Sequence, residues 1–453
     1  MNIAEIVNNQ REYFYTKETY DVNFRIEILK QIKTLLFKYK AQFVEAFKKD
    51  YNKCEFDVTS TEFGLVIQEL NYMIKHVKKL SKVKRVTTSI VNFPSKGYIV
   101  PEPYGVVLIM APWNYPFQLA LEPLMGAIAS GNTVVLKPAS YTKNVSQVMY
   151  DMFSELNRPE LIWVVLGGRE QNQELLEQKF DYIFFTGGET VGKLVLQKAS
   201  VHLTPCTLEL GGKSPCIVDE DADIEVAAKR VVWGKFLNAG QTCVAPDYIC
   251  VHKKVHDKFV ERVKYYIDKF FYVNGELSSE FPYLINQKHF DKVTGFLDEK
   301  KIIIGGKSNG TCLEPTVMDN VTFDDKIMQE EIFGAIMPII VFDDIEKLLD
   351  HVNRMEKPLA FYYFSKDTKK AKRIVKYSFF GGACINDTIM HLTNDNLPFG
   401  GVGRSGMGSY HGKKSFETFS HHKSVLAKGK LEVNIKYPPY NKKKLSLLNI
   451  IFK

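Results

Sequence analysis

Two features on which small secreted domains and zinc proteins depend are missing. The seven cysteines, at positions 54, 206, 216, 243, 250, 312 and 384, are odd in number, scattered, and never spaced as a CxxC pair. That pattern argues against a disulfide scaffold and a zinc site, and predicts a chain kept in a reducing compartment with no metal. The first residues, MNIAEIVNNQREYFYTKE, lack the uninterrupted apolar core of a secretory signal, so the expected location is the cytoplasm. Excess charge of one sign is also scarce: 60 Lys and Arg face 52 Asp and Glu, a net +8, with no long basic run outside the tail. Nucleic acid is therefore not an expected partner, although weak attraction for phosphate-bearing small molecules is compatible. Repeats and low-complexity stretches are absent.

What is present is the composition of an ordinary soluble protein, 45% apolar and 25% charged. A length of 453 residues predicts two or three lobes around sizeable cores. From Val22 to Phe47 apolar residues recur at spacings of three and four, the mark of a long amphipathic helix, and a second such stretch runs from Phe63 to Leu80. The rhythm then changes to short apolar runs closed by Gly, Pro or Asn: 104–112, 132–138, 161–168 and 181–188. Each has strand length, and each gap can hold one helix, which predicts a parallel α/β sheet of nucleotide-binding outline. A second alternating region starts near Pro215 and ends at Ile385, predicting a second α/β lobe. The tail, KKKLSLLNIIFK at 442–453, is far short of the roughly 20 apolar residues of a membrane span. It is expected to dock on the body as a terminal helix, with peripheral membrane contact as the alternative reading of Lys beside Leu and Ile.

Four segments could carry chemistry. Cys243 follows Gly240, Gln241 and Thr242 and precedes Pro246, which suits an exposed turn where a thiolate meets a substrate and backbone N–H groups face an oxyanion. The other six cysteines are read as core fillers. Glu209, between Leu208 and Leu210 and just before Gly211 and Gly212, stands where a strand enters a cleft; partial desolvation would raise its carboxyl toward the range of a general base for water. An exposed strand face explains it equally well. Asn114 in APWNYPF could donate to an oxyanion, though an Asx turn is the commoner use of such a residue. Gly187 and Gly192 in FFTGGETVG are neither a GxGxxG fingerprint nor a P-loop, but a glycine turn lets a helix N-terminus approach a pyrophosphate.

Together these segments resemble the aldehyde dehydrogenase superfamily, and most closely its class 3 branch of dimeric and fatty-aldehyde-like enzymes. APWNYP, GNTVVLKP, FFTGG with Gly192, LELGGKSP, NAGQTC, QEEIFG and LPFGGVGRSGMG stand in family order, over roughly Val22 to Leu448. CVAPDYI and GMGSYHGKKSFETFSHHK look specifically class 3. The resemblance implies an α/β fold: a Rossmann-like NAD(P)-binding domain (1–82 and 105–208), a second α/β catalytic domain (209–390), a small β bridging and oligomerisation element (83–104 and 391–430) and a tail (431–453). It implies that Cys243 attacks an aldehyde to give a thiohemiacetal and then a thioester, with Asn114 and the Cys243 N–H holding the oxyanion and Glu209 activating the hydrolytic water. Glu331 is a competing candidate for base work.

For the cofactor, NAD or NADP, the resemblance implies Lys137 on the adenosine ribose, Glu331 on the nicotinamide ribose, Phe333 packed nearby, Gly187, Gly188 and Gly192 at the pyrophosphate turn, and Leu210 beside them. Many NAD-preferring relatives carry an acid three positions after the ribose lysine; here Ser140 stands there, which predicts that NADP is tolerated alongside NAD. Gly188 and Glu189 replace hydroxyl or amide side chains common at that turn, so weaker cofactor affinity is expected. Tyr115, Leu119, Ile389, Met390 and His391 are the implied substrate contacts, mostly apolar, favouring medium- or long-chain aliphatic or aromatic aldehydes. Arg85 to Pro101 and Gly400 to Ser424 resemble subunit-bridging strands, implying a homodimer. The competing readings are a CoA-acylating relative and a cysteine hydrolase using His202, His391 or His411 as base.

Overall fold

The computed structural model describes residues 2–452. Three sheets organise it. The first has six strands, in the spatial order Gly406–Met407, Cys206–Glu209, Tyr182–Thr186, Val106–Met110, Thr133–Lys137 and Ile162–Val164. All but Gly406–Met407 run parallel. Every residue of the three central strands is buried, which is why they read as continuous apolar runs rather than alternating ones. The chain enters this sheet at Val106–Met110, winds outward through Ile162–Val164, and returns to the other side of its starting strand at Tyr182–Thr186. The order therefore reverses between Val106–Met110 and Tyr182–Thr186. In open parallel sheets the ligand crevice opens at the carboxyl ends of such a pair.

The second sheet has seven strands, ordered Ile302–Ile304, Thr316–Met318, Ile336–Phe342, Tyr248–His252, Pro215–Val218, Ala360–Phe364 and Gly382–Ile385. Only Ile302–Ile304 is antiparallel. The third is an antiparallel ribbon of Lys84–Val86, Ser95–Pro103 and Ser420–Lys428. The long helix runs Val22–Tyr51, one turn beyond the apolar spacing that announced it, and the next is Gly64–Leu80. A preceding helix, Ile3–Tyr15, starts from a capping box between Asn2 and Glu5 that the sequence reading passed over.

Two expectations need correction. The stretch 391–430 is not all bridging element: Gly406–Met407 extends the six-stranded sheet beside Glu209, and only Ser420–Lys428 joins the ribbon. The tail helix, Lys442–Ile451, has no buried residue, so it does not dock on the body. Its Leu445, Leu447, Leu448 and Ile451 recur at spacings of three and four on one face, which lies exposed but for the half-buried Leu448. Among the described residues no helix is long and apolar enough to cross a membrane.

Candidate active site

The crevice predicted by the strand order is built from three strand ends. Val106–Met110 runs into Pro112, Trp113 and Asn114; Tyr182–Thr186 runs into Gly187 and Gly188; Cys206–Glu209 ends on Glu209 itself. From the other lobe comes the loop 237–247. Asn238, Ala239 and Gly240 all take left-handed backbone, and a Cβ on Gly240 would fall 2.2 Å from the Gly334 carbonyl, so the loop can turn this tightly only with glycine there. Gln241 pins it: its Nε2 donates to the Asn238 and Tyr283 carbonyls, at 3.1 Å each, and its Oε1 accepts from the Ile285 N–H at 3.0 Å. Asn114 Nδ2 donates to the Gln241 carbonyl at 3.0 Å, fastening one lobe to the other beside Cys243.

Gly240, Gln241 and Thr242 are buried, so the turn is not exposed as the sequence suggested. The half-buried Cys243 instead lies where two cavities meet. One, of about 370 Å³, is lined largely by apolar groups, among them Phe56, Leu65, Leu119, Trp233, Leu237 and Ile389. The other, of about 210 Å³, is lined by Trp113, Asn114, Gly187, Gly188, Glu209, Leu210, Glu331 and Phe333. Cys243 and Leu119 line both.

Burial dominates the electrostatics. It pushes the Cys243 thiol up to about 12, with Glu331 and then Glu209 adding to the rise, while the N–H groups of Cys243 and Val244 oppose it. Those two N–H groups are therefore aimed at negative charge on the sulfur. Glu209 is fully buried, its carboxyl raised well above the usual range by desolvation, and neither oxygen meets a hydrogen-bond partner among the described residues. Glu331 is pushed up to about 8, by burial and then by Asp247, against a hydrogen bond from the Gly212 N–H. A proton-accepting carboxyl of this kind, lining the same cavity as a cysteine sulfur, can help hydrolyse an acyl derivative of that sulfur.

The model of the aldehyde dehydrogenase family matches residues 1–425. The chain belongs to that family. It is 45% identical, over all of both chains, to the 4,4'-diaponeurosporen-aldehyde dehydrogenase of Staphylococcus aureus (strain NCTC 8325 / PS 47). It is 39% identical to the dimeric NADP-preferring aldehyde dehydrogenase of Canis lupus familiaris, across 96% of this chain and 98% of that one. A substrate-bound structure of Staphylococcus aureus AldH superposes with a TM-score of 0.97 at 44% identity, covering both chains completely. The activity is thus that of an aldehyde dehydrogenase, NAD(P)-dependent oxidation of an aldehyde.

The aldehyde dehydrogenase cofactor fits the residues present. Lys137 Nζ donates to the Pro138 and Gly167 carbonyls at 2.8 and 2.7 Å, which leaves its third N–H for a hydroxyl, and burial lowers it to about 8. Ser140 is exposed near it. A Cβ on Gly211 would sit 2.4 Å from the Glu331 carboxylate, so glycine keeps that part of the cleft open. Gly192 serves packing: a Cβ there would press on Leu210 at 2.9 Å.

Of the implied substrate contacts, Tyr115, Leu119, Ile389 and Met390 line the apolar cavity, and Tyr115 Oη is 2.7 Å from Thr242 Oγ1. His391 does not line it. Its Nδ1 lies 3.4 Å from Cys384 Sγ and its ring lies near Phe399, because the short turn Met390–Thr393 points Met390, Leu392 and Thr393 inward instead. No hydrogen bond joins His202, His391 or His411 to the Cys243 sulfur among the described residues, and His411 is held by Glu122 at 3.3 Å. The sequence reading missed Trp113, Tyr410 and His289. The first two sit inside motif blocks already noted, whereas His289, bonded to the Phe333 carbonyl at 2.8 Å, gave no signal because its helix is remote in the chain.

Proposed function

We propose that this aldehyde dehydrogenase oxidises medium- or long-chain aliphatic or aromatic aldehydes at Cys243. The observation that carries the reading is the junction: one sulfur opens both onto an apolar cavity, suited to a hydrocarbon tail, and onto a polar one holding Glu209, Asn114 and Glu331. Cys243 loses its thiol proton to solvent, its Sγ bonds the aldehyde carbon as the carbonyl π pair moves to oxygen, and that oxygen accepts hydrogen bonds from Asn114 Nδ2 and the Cys243 N–H. The bound nicotinamide supplies the chemistry of a hydride acceptor. The remaining thioester is cleaved when Glu209 takes a proton from water, whose oxygen bonds the acyl carbon as the carbon–sulfur bond breaks, returning the thiol and releasing the acid. Lys137 and Glu331 would hold the two riboses, and Phe333, Leu210 and the 187–188 turn would contact the rest of the dinucleotide. Residues 1–82 and 105–208 form the cofactor domain, and 209–390 the catalytic one.

Ser140, carrying no charge near Lys137, supports acceptance of NADP as well as NAD. The strand Ser420–Lys428 is paired on one side only and exposes Val425 and Leu426, which supports a homodimer, as does the relative named dimeric. Seven free cysteines support residence in the reducing cytoplasm. The test is a cofactor-reduction screen with NAD and with NADP across aldehyde chain lengths, for wild type and Cys243→Ala. Thiol-dependent turnover rising with chain length is expected from both cofactors. A flat chain-length profile overturns the hydrocarbon-tail assignment, and inert NADP overturns dual acceptance.

A further inference from the structure

The helix Glu189–Ser200 begins at the turn read above as the pyrophosphate site, and it begins with a carboxylate. The N–H groups of Gly188, Glu189 and Thr190 have no acceptor among the described residues, so they are available to an anion. An unneutralised Glu189 beside them would repel that anion. It is not left so. Arg404 grips it in a fork, Nε reaching Oε1 at 3.0 Å and Oε2 at 3.1 Å, and Nη2 reaching Oε2 at 2.7 Å. Lys193, one turn along the helix, adds a second cation at 2.7 Å. These partners hold the carboxyl down at about 2, so the negative charge is balanced rather than removed.

Arg404 comes from more than two hundred residues away in the chain. Its loop is fixed independently, because the Ser405 carbonyl accepts the Leu210 N–H at 3.1 Å and Gly406 pairs with Glu209. The guanidinium is thus presented by the edge of the same sheet that carries Glu209. Glu356, 3.6 Å from Arg404 Nη1, is the other acid facing it.

We propose that Arg404 is a positioning residue for the dinucleotide: by engaging the Glu189 carboxylate it cancels the one negative charge at the start of this helix and leaves the turn's N–H groups to the pyrophosphate. This rests on reading the 187–189 turn as the cofactor site. It also answers the sequence expectation that Glu189 weakens the cofactor's hold, since the charge that would do so is neutralised in place.

Binding of reduced dinucleotide, followed by its fluorescence in the absence of aldehyde, tests this on wild type, Arg404→Ala, Glu189→Gln and the double variant. Arg404→Ala should weaken binding about two- to fivefold at low salt, the effect of one charge at a helix end, and the gap should narrow as salt rises. In turnover it should raise KM for the dinucleotide more than it lowers kcat. The double variant should bind as wild type does, a rescue that a merely structural role for Arg404 would not give. Undiminished binding by Arg404→Ala, or a double variant that stays weak, overturns the proposal. Wild type that binds no dinucleotide would overturn the reading of the turn itself.

Discussion

Replacing Glu209 by Gln should stabilise this protein, by an amount that grows with pH. Burial raises the Glu209 carboxyl well above its ordinary 4.5, and neither oxygen meets a partner among the described residues. In the unfolded chain the same group ionises near 4.5. At any pH between those two values folding must take up one proton. A carboxyl raised in the folded state therefore leaves stability intact below its unfolded value and erodes it as pH rises toward the folded one, by about 1.4 kcal/mol per unit. Gln keeps the shape and has nothing to titrate. The difference in unfolding free energy, Glu209→Gln minus wild type, should climb at that slope above pH 5 and level off where the folded carboxyl ionises. Urea unfolding of the two proteins side by side, read by tryptophan fluorescence from pH 5 to 8, measures it. A difference that stays flat would refute the desolvation of Glu209 and the raised proton affinity on which its proposed role as a base depends.

Two further outcomes follow from buried groups. Because burial and two carboxyls push the Cys243 thiol up to about 12, its alkylation by iodoacetamide in the enzyme alone should quicken about tenfold per pH unit from pH 7 to 9; a plateau below pH 8 would show a thiolate already formed. Lys53 and Glu62 form an ion pair at 2.8 Å, both buried, with the Lys53 ammonium 4.2 Å above the Tyr115 ring. Lys53→Met should cost about 3–5 kcal/mol of stability by stranding Glu62, and a loss below about 1 kcal/mol in urea unfolding would show that the pair is not what seats this part of the apolar cavity.

The local features were legible because they repeat at short range. Runs of five buried residues announced Val106–Met110, Thr133–Lys137 and Tyr182–Thr186, and helical spacing announced Val22–Tyr51, since burial on two faces or one stripe writes itself into consecutive residues. The motif blocks likewise marked Cys243, Glu209 and Asn114 as candidates, although what surrounds each comes from other parts of the chain. Other features depend on residues far apart in the chain, and no window of sequence contains them. The placing of Gly406–Met407 beside Glu209, the turning of His391 toward Cys384, and the pairing of Glu189 with Arg404 are of this kind.

Residue type and spacing were enough to say which groups could react and that the central strands of the larger sheets would be parallel and buried, because they fix chemistry and local burial. Only the tertiary structure decided how deep each group lies and what faces it. Desolvation and charge pairing are set by contacts between distant segments, and these raised the proton affinity of Glu209, put Cys243 at the meeting of two cavities and gave Glu189 its Arg404 partner.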